Sequence, residues 1–332
     1  MTGDIQSERA RPDGPVRVLE TAVYRGPHLF GPSPMVRFRL DLGALEAFPT
    51  TALPEFSPRL KATLPGLFAH ACSRGRAGGF FERLDEGTWL GHVGEHVAIE
   101  LQARAGARVA KGKTRSVKGR PGEYDVLYEY EEEAVAFAAG RFALELVLDL
   151  VPGGVEPPRG LDRLHPEPAP RDAEGRVDRD RAIEALTRLR RRHGLGPTTS
   201  ALVAEALRRD IPVQRLDDLS FVQLGWGARQ KKIRASITSE TSFLGVDAAG
   251  DKALTKRLLD GAGVPVPRGE VVRSAEEAVA AARRLGGAVV TKPLDGNHGR
   301  GVTTGLRSDE DVARGFELAA RHASRVIVEQ FY

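Results

Sequence analysis

The residues best placed to do chemistry lie in VVTKPLDGNHGRGV, positions 289–302. A β-branched run (Val289, Val290, Thr291) delivers Lys292 at a strand end, and Pro293 stops the ladder. A loop follows that carries Gly296, Gly299 and Gly301 with His298 and Arg300. Such a loop can hold a phosphate: glycines let backbone N–H groups close on an anion, Lys292 and Arg300 bring positive charge, and His298 adds a donor that titrates. It is neither GxxxxGK[ST] nor GxGxxG opening a helix. A basic hairpin with 302–304 as its return strand accounts for the same letters.

A second constellation is HxxEH, made by His92, Glu95 and His96 at the start of a helix expected over 92–105. Spacings of three and four place these side chains, with Glu100, on one stripe, and Val93, Val97 and Leu101 form an adjacent apolar face. Two imidazoles one turn apart suit zinc, and a glutamate between them can activate a metal-bound water. A third ligand has to come from elsewhere: Glu131, Glu132 and Glu133 are the nearest acidic cluster, and Glu133 is the preferred choice. Histidines that cap a helix and bond nearby acids would read the same way. The basic segment 111–120 is expected as a surface loop, where it could hold an acidic polymer near that helix.

At 332 residues the chain has room for two domains. It is 41% hydrophobic and 28% charged, globular values, with no apolar run long enough to span a bilayer. The first 14 residues are polar, without a signal-peptide core, and read as a disordered leader of a cytoplasmic protein. Cys72 is the only cysteine, which excludes an internal disulfide and any CxxC metal site. The net charge of +4 fits an anionic partner, but aromatics are few (6%) and not interleaved with the basic runs. An enzyme handling anionic substrates is therefore favoured over a nucleic-acid module, and no membrane partner is expected.

The elements that must position these residues follow in order. Strands are expected at 16–25 and 35–42, then a helix from about Ser57 with Leu60, Leu64, Leu67 and Phe68 on one face. A strand at 124–130 precedes a helix at 134–150, and the Pro/Gly-rich stretch 153–170 reads as a linker. Helices at 177–193 and 199–209 come next; the arginine run 188–192 is read as an exposed helix face. Beyond a short strand at 221–224 and a basic segment at 229–234, a helix at 251–259 places Lys252 and Lys256 one turn apart. Strand (271–272), helix (275–285), strand (289–291), Gly-rich loop, strand, helix (309–321) and strand (326–329) complete an α+β unit whose loop sits on a hairpin, unlike a Rossmann unit.

DKALTKRLLDGAGVPVPRG, then VVTKPLDGNHGRGV and VIVEQFY, resembles the ATP-grasp ligases, and in detail the cyanophycin synthetases. GGFFERLDEGTWLGHVGEHVAIELQ, GKTR and YDVLYEYEEE look like the N-terminal domain of the same family, so the resemblance covers about 16–332. It implies an α+β N-terminal domain over 15–152 and an ATP-grasp domain over 171–332. It also implies ATP and Mg²⁺ as cofactors, with aspartate, arginine and a primer of the polymer as partners. Aspartate would be added through an acyl phosphate, and family members form homo-oligomers.

By that resemblance Lys252 and Lys292 contact ATP phosphates, and Gly299, Arg300 and Gly301 belong to the mobile loop above them. Glu329 receives the adenine amino group beside the backbone of Gln330 and Phe331. His298 and Arg300 face the phosphoryl group or the polymer end. The N-terminal domain would hold the polymer, and a Zn²⁺ site at HxxEH, with Glu95 catalytic, would cut chains into primers. The sequence departs from the family by stopping at Tyr332: the ATP-grasp domain reads as incomplete, without the acidic and Asn residues that bind Mg²⁺, and the arginine-adding domain is missing. The expectation is a fragment without ligase activity on its own.

Overall fold

The computed structural model describes residues 13–295 and 298–332; the expected leader lies almost wholly outside them, as does Gly296. Two compact units are present, Met1–Ser236 and Ile237–Tyr332.

The first unit is built on strands β1 (Arg17–Tyr24) and β2 (Met35–Asp41), helices α1 (Phe56–Thr63), α2 (Gly79–Glu86) and α3 (Leu90–Arg104), strands β3 (Gly112–Ser116) and β4 (Glu123–Glu129), and helices α4 (Glu133–Asp149), α5 (Arg179–His193) and α6 (Pro197–Arg208). The antiparallel sheet runs β1-β2-β4-β3. Alternation in β2 and β4 sends Val36, Phe38, Leu40, Val126 and Tyr128 inward, each at most 1% exposed. Outward-facing Arg37 and Arg39 pair with Asp125 at 2.8 and 3.2 Å. Helices α3 and α4 pack on each other and on the sheet, and α5 packs on both. That double coverage explains why α4 is apolar almost all round rather than on one stripe. Asp178 caps α5 by accepting from the N–H groups of Asp180 and Arg181. Beyond α6, β5 (Val213–Arg215), β6 (Phe221–Leu224) and β7 (Lys231–Arg234) form an antiparallel meander.

Three segments differ from the expected elements. Pro65 cannot continue α1, so Leu67 and Phe68 sit on a 3-10 turn (Pro65–Ala69), and Phe68 is 56% exposed while Leu67 is buried. The basic segment 111–120 is not merely a loop: Gly112–Ser116 forms the edge strand β3, with Thr114 opposite Val126. The stretch 153–170 is a strap rather than a free linker. Val18 N–H donates to the Arg159 carbonyl and Arg159 N–H to that of Val16, both at 2.9 Å, and Leu161, Leu164 and Ala169 are buried. Proline and glycine composition signals irregular backbone, which here is tied down by pairing and burial.

The second unit contains the two-residue strand β8 (Ile237–Thr238), helices α7 (Phe243–Gly250) and α8 (Lys252–Gly261), β9 (Gly269–Val272), α9 (Ala275–Leu285), β10 (Val289–Pro293), β11 (Thr303–Leu306), α10 (Asp309–Ala320) and β12 (Val326–Gln330). Asp251, Ser274 and Ser308 cap α8, α9 and α10. The antiparallel sheet runs β11-β10-β12-β9. One face buries Val272, Val289, Val326 and Val328 against α9 and α10, with Phe316 and Val312 between them. The other face carries Lys292 and Glu329 toward α8. The Gly-rich loop does join an antiparallel hairpin, β10 to β11. Among the described residues no helix is long and apolar enough to cross a membrane.

Candidate functional site

In the first unit the polar interior centres on α3. Its position is set by Val93, Val97 and Leu101, all fully buried, and by Gly94, which lies close against Leu144 of α4. His92 Nε2 is 3.4 Å from Cys72 Sγ, and His92 Nδ1 is 2.9 Å from Thr88 Oγ1. His96 stacks on Phe80 with ring centroids 4.0 Å apart, and its Nδ1 is 2.9 Å from His70 Nδ1. His70 in turn reaches Glu100 Oε2 at 3.1 Å. Gly66 is needed under that carboxylate, because a Cβ there would stand 1.9 Å from Glu100 Oε1.

One donor atom each from Cys72, His92 and His96 lies within 4.8 Å of the other two. Burial, joined by the Arg83 charge, lowers the His92 pKa to about 4, and burial also holds His96 well below the ordinary imidazole range. Both rings are therefore neutral near pH 7, the form that ligates a metal.

Two expected members stand elsewhere. Glu95 is one residue from His96, so its side chain points about 100° away around the helix. It accepts a hydrogen bond from Thr114 Oγ1 at 2.5 Å and covers Gly112, where a Cβ would clash at 2.4 Å. Burial, opposed by the Thr114 hydrogen bond, pushes the Glu95 carboxyl up to about 8. Glu133, the preferred third ligand, is held instead by Arg25 through two hydrogen bonds of 2.6 and 2.9 Å, with Tyr130 at 3.3 Å. Cys72 supplies the third donor beside the histidines. A lone cysteine has no CxxC signal, and His70, on another turn 26 residues before His96, has no spacing signal.

In the second unit Glu329 is the centre. It lies on β12, 3% exposed, between Val290 of β10 and Gly269 of β9 in register. Lys256 Nζ donates to its Oε1 at 2.9 Å, and Lys292 Nζ donates to its Oε2. Burial pushes this carboxyl up, but the hydrogen bonds from Lys292 and Lys256 outweigh it, and the net shift is downward. Lys252, one turn before Lys256, donates to the Leu294 carbonyl at the root of the hairpin loop, 2.9 Å away.

In the loop beyond, Gly299 and Gly301 have φ of 72° and 68°, His298 also has a positive φ of 55°, and His298 and Arg300 are exposed. At Gly301 a Cβ would come within 2.7 Å of His322 Cδ2, so the loop packs closely there. Gln330 N–H donates to the Arg268 carbonyl at 2.9 Å and Phe331 N–H to that of Ala288 at 3.0 Å; the Phe331 ring is half exposed. The family resemblance marks Lys252, Lys292 and Glu329 and gives Lys256, one turn from Lys252, no role.

Residues 37–152 match the family described as the cyanophycin synthase-like N-terminal domain. The chain is 39% identical over 322 residues to the cyanophycin synthetase of Geminocystis herdmanii, covering 96% of this chain and 35% of that protein. It is likewise 39% identical over 320 residues to that of Trichormus variabilis, covering 96% and 33%. The chain thus spans about a third of the length of these curated relatives. Among solved structures, a bifunctional glutathione synthetase from Pasteurella multocida is similar at 14% identity and a TM-score of 0.27, over 89% of this chain and 57% of that one.

Proposed function

Because the chain is a relative of the cyanophycin synthetases and carries their N-terminal domain over 37–152, we propose that it supplies the polymer-holding and ATP-gripping portion of an ATP-dependent amide ligase. The observation that carries this reading is the convergence of Lys256 and Lys292 on buried Glu329, beside a hairpin loop with positive φ at His298, Gly299 and Gly301. Excess positive charge next to a glycine loop is the physical requirement for a triphosphate. Lys252 and Lys292 meet the phosphates with the loop residues Gly299, Arg300 and Gly301, and Glu329 with the backbone near Gln330 and Phe331 receives the adenine. His298 and Arg300 face the phosphoryl group or the polymer end, where a carboxylate takes the terminal phosphoryl group of ATP, releasing ADP, and the amine of aspartate then forms the amide as phosphate leaves. Charge stabilisation by lysine and arginine is what such a transfer needs.

The side chains around Glu329 do not fit Mg²⁺: they are cationic, and the one carboxylate is shared by two lysines. The metal that accompanies ATP has to be met by other groups. Calorimetric titration with ATP and magnesium tests the proposal: saturable heat is expected, lost in Lys292→Met. No uptake by the unaltered chain, or equal uptake by the variant, overturns it.

A second reading rests on Cys72, His92 and His96. Their donors fit zinc in type and, after contraction of about 1 Å, in spacing, given bonds of roughly 2.1–2.3 Å in a tetrahedral site. Zinc held there would polarise a peptide carbonyl and lower the pKa of water, giving a hydrolytic module for the polymer. Cleavage of the polymer without ATP, abolished by His92→Ala, supports that role; intact polymer after incubation with zinc-loaded protein removes it.

A further inference from the structure

Around Glu329 one carboxylate is shared by two ammonium groups, and the two are not equivalent. The Lys256 side chain is 18% exposed and that of Lys292 29%, while Glu329 is 4%. Lys256 rises from α8 into the space left by a missing side chain. A Cβ on Gly269 would stand 3.1 Å from Lys256 Nζ and 2.6 Å from Glu329 Cγ, so β9 is open at the point where the pair needs room. Lys292 occupies the fourth residue of β10 and leads directly into the hairpin loop. A carboxylate buried to this extent cannot keep its charge if both cations leave, but it can if one stays.

We propose that Lys256 is the permanent counter-ion of Glu329, and that its presence frees Lys292 to leave the carboxylate and bind an anionic ligand. This deepens the nucleotide reading above and rests on it for the identity of the anion. Lys256 is then a positioning residue that acts through Glu329, not a phosphate ligand. Without it Lys292 is captured, because leaving would strand a bare buried charge. A triphosphate entering the site exchanges one ion pair for another at Lys292 while the Lys256–Glu329 pair persists.

The test compares the unaltered chain with Lys256→Gln, Lys256→Arg, Glu329→Gln and the Lys256→Gln/Glu329→Gln double variant. Two readouts are used: calorimetric affinity for ATP with magnesium, and the rate at which Lys292 is acetylated by acetic anhydride in the absence of nucleotide, followed by peptide mass spectrometry. Lys256→Gln is expected to weaken ATP by about tenfold or more, the equivalent of roughly 1.4 kcal/mol. The double variant is expected to recover most of that loss, since the side-chain amide that replaces the carboxylate still accepts from an adenine amino group but no longer holds Lys292. Lys256→Arg keeps the counter-ion and is expected to bind like the unaltered chain. Acetylation of Lys292 should slow several-fold in Lys256→Gln and recover in the double variant. A single variant that binds as tightly as the unaltered chain, or a double variant as weak as the single, overturns the inference and leaves the nucleotide reading standing. If the unaltered chain takes up no ATP, the nucleotide reading falls, and unchanged Lys292 acetylation in Lys256→Gln then overturns the inference independently.

Discussion

Thr114 Oγ1 on the edge strand β3 donates to Glu95 Oε2 on α3 at 2.5 Å, and this contact separates the acid of HxxEH from its two histidines. His92 and His96 look toward Cys72 and His70, whereas Glu95 is enclosed by Thr114 and Gly112. In this arrangement the glutamate is a buried, protonated hydrogen-bond partner near neutral pH, with its carboxyl pushed up to about 8 by burial. A general base at a metal has to be ionised and within reach of the bound water. Glu95 has to change both its partner and its charge to serve as one.

The first prediction concerns pH. The folded-state value of about 8 lies above the ordinary carboxylate value of about 4.3. Between the two the folded chain binds one more proton than the unfolded chain, so this group makes stability fall as pH rises through that window and adds no further slope above it. Glu95→Gln keeps an acceptor for Thr114 and removes the titration. The variant is expected to match the unaltered chain near pH 4.5 and to exceed it at pH 8.5 by a few kcal/mol, since each pH step of one between the two values is worth about 1.4 kcal/mol. Urea unfolding across pH 4.5–9 measures it, and parallel curves would rule it out.

The second concerns α4. Tyr128 is fully buried, and its hydroxyl donates to the Ala136 carbonyl at 2.9 Å. A Cβ on Gly140 would lie 2.3 Å from that hydroxyl oxygen. On an exposed helix Gly→Ala gains about 1 kcal/mol. Here Gly140→Ala is expected to destabilise by about 1–3 kcal/mol, because overpacking outweighs propensity. Thermal melts should show part of that loss recovered in Gly140→Ala/Tyr128→Phe, where the clashing oxygen is gone. A raised melting temperature for the single variant would refute the clash.

The third concerns metal. The chain is expected to bind one zinc ion through His92, His96 and Cys72, with affinity reduced at least tenfold in His92→Ala and in Cys72→Ser, given the worth of single ligands and their supports. Glu133→Gln is expected to leave affinity unchanged, because Glu133 is engaged by Arg25. Competition with a chromophoric chelator gives the affinities. Zinc held equally well by Cys72→Ser would show that the thiol is not a ligand.

The fourth concerns Gly66. Alanine there places a Cβ against Glu100 Oε1 and displaces the partner of His70. Gly66→Ala is expected to cost about 1–3 kcal/mol of stability and to shift the His70 and His96 ring signals in NMR spectra. Unmoved ring signals would show that the carboxylate adapts without disturbing the histidines.

Local pattern carried much of this protein. The β-branched run into a Gly-rich hairpin, the Ser274 cap, the alternation in β2 and the helical stripe Val93, Val97, Leu101 are each written within about a dozen residues, where backbone sterics and side-chain period act. The mixed α+β class and the positions of Lys292, His92 and His96 follow from them, whereas Glu329 is marked only by the family resemblance. What tertiary structure decided was which groups meet. Lys256 and Glu329 are 73 residues apart, Cys72 and His92 20, and Arg25 and Glu133 108. Periodicity assigns a side chain to a face, but the partner on that face is chosen by how distant elements stack to bury their apolar surfaces. A buried charge must then take whichever opposite charge or donor that stacking brings within reach.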